Sequence, residues 1–282
     1  MSPFVPSQIF KYDGAGNDFL AFDARSIEFD EMAFSEVVPE LCHRRRGIGA
    51  DGIIVLRNPT RGVTGVDFRM LYYNADGSTG EMCGNGARCL VKFAHDLGVI
   101  GSSTRFETGA GIYSADLVEH GRIRLHFPEI TTKPSPINFQ GETVDWNATF
   151  QIVGVPHTVI PVVDTTKVNL PVDGARLRRH SATGPRGTNV NFVSFEPGNN
   201  IRIRTFECGV EDETLACGTG CVASALSRAW REGKTGPCQY DLHTVGGDVM
   251  TIEFVLGETG ATQVSLTGPA VRVFQAQWLK HR

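Results

Sequence analysis

Short apolar runs separated by turn residues make up most of the chain. Residues 7–12 and 19–22 read as strands on either side of the loop Asp13-Gly14-Ala15-Gly16-Asn17-Asp18, and IIVL at 53–56 reads as another. Further strands are predicted at 66–73, 104–107, 111–118, 122–127, 149–153, 189–195 and 201–207, with short strands from there to the C-terminus. Apolar residues at three- and four-residue spacing predict helices over 31–46, 87–97 and 221–231. About three long helices against a dozen or more short strands define an α+β class rather than a doubly wound α/β one.

Two of these helices start the same way. Residues 81–89 (EMCGNGARC) and 215–221 (LACGTGC) each place a cysteine directly before Gly-x-Gly and then enter a helix. Cys83 and Cys217 therefore belong at or just before helix N-termini, where free N–H groups and the positive dipole end favour a thiolate and can hold a carboxylate. The two motifs stand 134 residues apart, and DFRMLYY at 67–73 is matched by IRIRTFE at 201–207 with the same offset. A repeat this long implies two similar halves of one fold rather than a solenoid. Residues 128–147, with three prolines and little periodicity, form the expected linker. The halves are then 1–128, with 269–282 returning to it, and 129–268. Each supplies a cysteine, which places two thiols across a cleft, close enough for oxidation to join them.

Composition narrows the function without naming it. With 41% hydrophobic and 21% charged residues, the 282-residue chain is ordinary for a soluble enzyme. A formal net charge of −4 gives no reason to expect nucleic acid or a membrane surface as partner. Seven cysteines in so large a chain argue for reduced thiols in the cytoplasm. Gly47-Ile48-Gly49-Ala50-Asp51-Gly52 has the form G-x-G-x-x-G, but a helix precedes it and a strand follows, the reverse of a dinucleotide site. Arg44, Arg45 and Arg46 end the helix predicted over 31–46 and there complement its dipole.

Three chemistries can use such cysteines. A zinc site needs close Cys pairs, and the six-residue spacing of Cys83 and Cys89 fails that test. A cysteine hydrolase pairing Cys217 with His157 leaves the second, matched cysteine unexplained. Two equivalent thiols on opposite sides of one carbon account for both: a thiolate takes a proton from one face while a thiol delivers one to the other. The carbanion between these steps is stabilised by backbone donors of Gly84, Asn85, Gly86, Gly218, Thr219 and Gly220 aimed at the α-carboxylate.

In GAGNDF (14–19), RRRGIGADG (44–52), YNADGSTGEMCGNGARC (73–89), the pair Pro156-His157, GTNVNFV (187–193) and ECGVEDETLACGTG (207–220), the chain resembles the diaminopimelate epimerase family nearly end to end. The resemblance implies two halves, each a barrel of strands around a central helix, with the active-site cleft between them. It implies an isomerase of lysine biosynthesis acting on a small amino-acid substrate, with Cys83 and Cys217 as the acid and base pair and with neither cofactor nor metal. A homodimer is the assembly to test. It also casts His157 and Glu207 as supports for the thiols, although a histidine after a proline otherwise reads as a packing residue. Asn17, Asn74 and Asn189 become substrate contacts. Two positions depart from the family pattern: Cys208 stands where an arginine would pair the distal carboxylate, and Val155 where many members carry Asn or Ser. Arg44–Arg46 are substitutes by charge alone. Without a substitute, the expected activity is racemisation of another amino acid, histidine for example.

Overall fold

The computed structural model describes residues 7–142 and 145–278. The chain divides into two compact units, one holding the residues up to Leu125 and those from Gly268 onward, the other His126–Thr267. In the first unit the order is β1 (Gln8–Asp13), β2 (Asp18–Asp23), α1 (Glu31–Ser35), α2 (Val38–Cys42), β3 (Gly52–Arg57), β4 (Phe68–Asn74), β5 (Thr79–Gly80), α3 (Gly84–Asp96), β6 (Ser103–Thr108) and β7 (Gly111–Leu117). Strand β8 (Ile123–His126) runs across the boundary. The second unit holds β9 (Ser135–Ile137), β10 (Ala148–Val153), β11 (Val155–Pro161), α4 (Leu170–Arg178), β12 (Asn189–Phe195), β13 (Asn200–Glu207), β14 (Asp212–Thr214), α5 (Gly218–Arg231), β15 (Gly236–His243), β16 (Val249–Leu256) and β17 (Ala261–Gly268). Strand β18 (Val271–Gln277) pairs antiparallel with β1 and so belongs to the first unit.

The two units repeat one connectivity. In the first, β1 pairs antiparallel with β2, β2 parallel with β3, β3 antiparallel with β4, β4 parallel with β6, and β6 antiparallel with β7. The second follows the same rule through β10–β11, β11–β12, β12–β13, β13–β15 and β15–β16. Each short strand after the fourth position, β5 and β14, pairs back on its predecessor.

Burial on both faces explains the composition of the central strands. GIIVLR of β3 and NVNFVSF of β12 are covered over nearly their full lengths, so they are apolar without strict alternation. On one face lies the long helix: α3 touches β1, β2, β3, β4, β7 and β18, and α5 touches β10, β11, β12, β13, β15 and β16. On the other face shorter helices pack. Phe34, Val38 and Leu41 of α1 and α2 join Leu20, Phe22, Ile53 and Val55 in one core, while Leu170 and Leu177 of α4 join Ile160, Val190, Phe192 and Phe206 in another. Each long helix is thus a buried axis wrapped by strands, and the fold is α+β. Among the described residues no helix is long and apolar enough to cross a membrane.

The single helix predicted over 31–46 is not found. Asp30 caps α1 through its carboxylate, which accepts from Met32 N and Ala33 N. Glu36 and Val37 then form a turn, and α2 starts with Pro39 in its first turn, where a missing N–H costs nothing. At His43 the backbone turns extended, and Ile48 N and Gly49 N return to bond Leu41 O. Arg44, Arg45 and Arg46 therefore lie beyond the helix and do not complement its dipole. Helix α4, in contrast, has no clear sequence signal, because LPVDGARLR carries a proline and a glycine within nine residues.

Candidate active site

Cys83 is the N-cap residue of α3, with extended backbone (φ −133°, ψ 119°), and its sulfur accepts the Gly86 N–H at 3.4 Å. Its thiol in turn points at Asn17 Oδ1, 3.9 Å away, which also accepts from Asn85 Nδ2 at 3.3 Å. Asn17 is held from its other end, since its amide nitrogen donates to Asp51 Oδ2 at 2.9 Å. Arg44 bridges Asp51 Oδ1 at 2.6 Å and Asp18 Oδ1 at 2.7 Å. Burial would raise the Asp18 carboxyl, but hydrogen bonds from Arg44 and Lys11 outweigh it and hold its pKa down to about 2. Arg44 thus braces the loop that positions Asn17 against Cys83, and its charge is spent on two carboxylates. Asn74, at the end of β4, accepts from Tyr72 Oη at 2.6 Å and donates to Ser78 Oγ at 3.0 Å.

Cys217 is the corresponding N-cap of α5 (φ −116°, ψ 109°), and its sulfur lies 3.7 Å from Thr219 Oγ1. Glycine at position 220 lets the first turn of α5 lie this close to Asn191 and Cys217. A Cβ there would stand 2.4 Å from Asn191 Oδ1 and 3.2 Å from the Cys217 sulfur. A thiolate stabilised by the helix N-terminus was expected at both caps; for Cys217 the balance runs the other way. Burial is the largest influence and the Glu207 carboxylate the next, and together they push the thiol well above its ordinary pKa, outweighing hydrogen bonds from Gly220 and Thr219. Cys217 is a buried thiol, not a thiolate. Glu207, the last residue of β13, accepts from Thr214 Oγ1 at 2.9 Å.

His157 lies inside β11 and is fully buried. Burial pushes its pKa down to about 3, so the imidazole is neutral. Its Nδ1 faces Asn191 Nδ2 at 3.3 Å, while Nε2 is buried without a partner among the described residues. Asn189 sits opposite His157 in the parallel β11–β12 register, and its Oδ1 accepts Cys208 N at 2.7 Å. Val155, at the start of β11, is exposed. Cys208 is exposed too, and its sulfur accepts from Arg178 at 2.8 Å. The other cysteines, Cys42, Cys89, Cys221 and Cys238, are buried or half-buried packing residues. Among the described residues no cluster of three or more His, Cys, Asp or Glu side chains is arranged to hold a metal ion.

In the second unit, then, His157 and Asn189 lie opposite each other on neighbouring strands, Cys208 bonds Asn189, and the adjacent Glu207 acts on Cys217. In the first, Asn17, Asn85 and Cys83 are in contact, while Asn74 is engaged with its own turn. Sequence reasoning missed Asn191, Arg178 and the Arg44–Asp51 brace. Asn191 lies within the GTNVNFV stretch, and the brace within GAGNDF and RRRGIGADG. Arg178 had no signal.

The fold is shared with solved structures of low sequence identity. A PhzF-family phenazine biosynthesis protein from Bacillus anthracis aligns with a TM-score of 0.72 at 17% identity, covering 97% of this chain and 99% of that one. A probable proline racemase from Agrobacterium radiobacter K84 also aligns at 0.72, with 14% identity, covering 96% of this chain and 92% of that one. A cysteine caps the axial helix of each unit. The sequence matches the diaminopimelate epimerase family model over residues 9–127 and 149–273, and the chain belongs to that family, so it is an isomerase of the epimerase and racemase class. The diaminopimelate epimerase of Aquifex aeolicus is 38% identical over 280 residues, covering 96% of this chain and 97% of that protein. That of Chlorobaculum tepidum is 39% identical over 264 residues, covering 93% and 97%.

Proposed function

We propose that the chain is a diaminopimelate epimerase, inverting one α-carbon of LL-diaminopimelate to the meso form with Cys83 and Cys217 as its acid and base. The observation that carries this reading is the duplicate placement of the two cysteines at N-caps of equivalent helices in units of one connectivity. Stereoinversion needs two equivalent groups, and a duplicated unit supplies them. In one direction the Cys83 thiolate removes the α-proton, forming S–H as C–H breaks. The electron pair passes into the α-carboxylate, and the Cys217 thiol then gives its proton to the opposite face. Burial and Glu207 already keep Cys217 in the donating state.

The uncharged environment of His157 fits a neutral hydrogen-bonding support rather than a titrating base. First-turn N–H groups of α3 and α5 lack partners within their helices and suit an α-carboxylate that gains charge. No step calls for pyridoxal phosphate, and a soluble cytoplasmic setting suits reduced thiols. Purified enzyme incubated with LL-diaminopimelate in deuterated water should incorporate deuterium at the α-carbon and form the meso isomer. Cys83→Ala and Cys217→Ala should each abolish turnover; an active variant of either kind overturns the reading.

A second reading is favoured by one observation. Cys208 carries no charge to pair a second carboxylate, which suits racemisation of a single amino acid such as histidine. A substrate panel followed by chiral chromatography separates the two.

A further inference from the structure

We infer that Arg178, from the end of α4, binds the carboxylate at the non-reacting end of the substrate. The inference rests on the proposed diaminopimelate reading, since diaminopimelate carries a second carboxylate and a single amino acid such as histidine does not. Arg178 lies 30 residues before Cys208 in the chain, yet it donates to the Cys208 sulfur at 2.8 Å. Two other contacts fix its plane: Nε to Glu211 Oε1 at 2.9 Å and one terminal nitrogen to Arg186 O at 3.2 Å. Room for this pose is made by Gly187, whose φ is +67° and whose Cβ, if present, would stand 2.1 Å from the guanidinium.

The contact with Cys208 is the weak link in that arrangement. A thiol is a poor acceptor, whereas a guanidinium and a carboxylate form a charge-assisted, two-pronged pair. The Arg178 edge turned toward sulfur is therefore the edge a carboxylate would take over. Glu211 is shared between Arg178 and Arg179, whose terminal nitrogen bonds Glu211 Oε2 at 2.7 Å, so this one carboxylate does not neutralise both guanidinium groups. Asn189 adds a neutral donor: its oxygen is taken by Cys208 N, and its amide nitrogen has no partner among the described residues. The position also suits the substrate, since Cys208 follows directly on Glu207, the carboxylate that acts on Cys217. Arg44 is the competing cation, and it is already satisfied by Asp18 and Asp51.

The test compares wild type, Arg178→Met and Arg178→Met/Cys208→Arg in the deuterium-exchange assay with LL-diaminopimelate. Wild-type exchange is measured first, and its absence would refute the diaminopimelate reading itself. With exchange present, Arg178→Met should raise KM by about 10- to 150-fold with kcat little changed, the loss of one charge-assisted pair. The double variant returns a guanidinium from the neighbouring backbone position and should recover most of the KM. An Arg178→Met enzyme with wild-type KM overturns the inference. So does a KM defect that Cys208→Arg leaves untouched while the thermal midpoint falls, the signature of a merely structural arginine.

Discussion

Asn191 Nδ2 lies 3.3 Å from His157 Nδ1, and this contact decides where the histidine proton sits. The Asn191 amide is itself oriented, because its nitrogen also donates to Thr158 O at 3.0 Å and its oxygen accepts Thr205 Oγ1 at 2.9 Å. A nitrogen that receives a donor cannot carry a proton, so the neutral ring must be protonated on Nε2. Replacing Asn191 by leucine removes the tautomer control and leaves Thr205 and Thr158 O short of partners in a buried site. We expect a loss of about 1–3 kcal/mol in stability and a several-fold drop in kcat. Histidine nitrogen chemical shifts should show both tautomers in the variant and one in the parent. A single unchanged tautomer in Asn191→Leu would refute the assignment.

The same histidine gives the protein an acid sensitivity of definite sign. His157 has a native pKa of about 3, while an unfolded histidine titrates near 6.5. Below about pH 6.5 the unfolded state binds a proton that the native state refuses, so stability falls as pH falls, by up to about 1.4 kcal/mol per unit, and levels off near pH 3. Asp18 acts lower: its native pKa of about 2 means its contribution is complete above about pH 4 and is lost as pH falls toward 2. Denaturant midpoints between pH 4 and 6.5 should therefore decline in the parent and flatten in His157→Gln. Equal slopes in the two proteins would remove His157 as the cause.

How much of this site could be read in advance depends on how local its signals are. Cys83 and Cys217 were legible because Cys-Gly-x-Gly followed by helical spacing states both a residue and its backbone setting. The break at Glu36–Val37 was not, since the apolar residues Phe34, Val38 and Leu41 keep helical spacing across it. Arg178 was hidden for a different reason: its partners Glu211 and Cys208 lie 33 and 30 residues away, and no pattern within α4 points to them. The expectation for the Cys217 thiol reversed because spacing reveals the helix N-terminus but not the burial and the Glu207 charge that oppose it.

Thiol chemistry should distinguish the two cysteines. Cys83 is half-buried, whereas Cys217 is buried and held in its thiol form, and alkylation needs an accessible thiolate. Under limiting iodoacetamide, peptide mapping should find Cys208 and Cys83 modified well before Cys217. A substrate analogue that occupies the site should protect Cys83, and a dicarboxylate analogue that seats on Arg178 should slow Cys208 as well. Modification of Cys217 ahead of Cys83 would contradict the buried-thiol description.

Glycine 220 offers a test in which the usual sign is reversed. Glycine within a helix is ordinarily a liability, and replacing it with alanine gains up to about 1 kcal/mol. At Gly220 the added methyl would stand 2.4 Å from Asn191 Oδ1 and 3.2 Å from the Cys217 sulfur, in a fully packed setting. Overpacking of this kind costs about 1–3 kcal/mol and exceeds the propensity gain. It also pushes Asn191 off His157 and shifts the cysteine. The matching position in α3, Gly86, has more room, with its nearest neighbour, Ile54 Cγ2, at 3.2 Å, the end of a side chain that can yield. Gly220→Ala should therefore lower the thermal midpoint and most of the activity, while Gly86→Ala leaves the midpoint near the parent value. A Gly220→Ala protein that melts at or above the parent would show that Asn191 is not held where the His157 contact requires it.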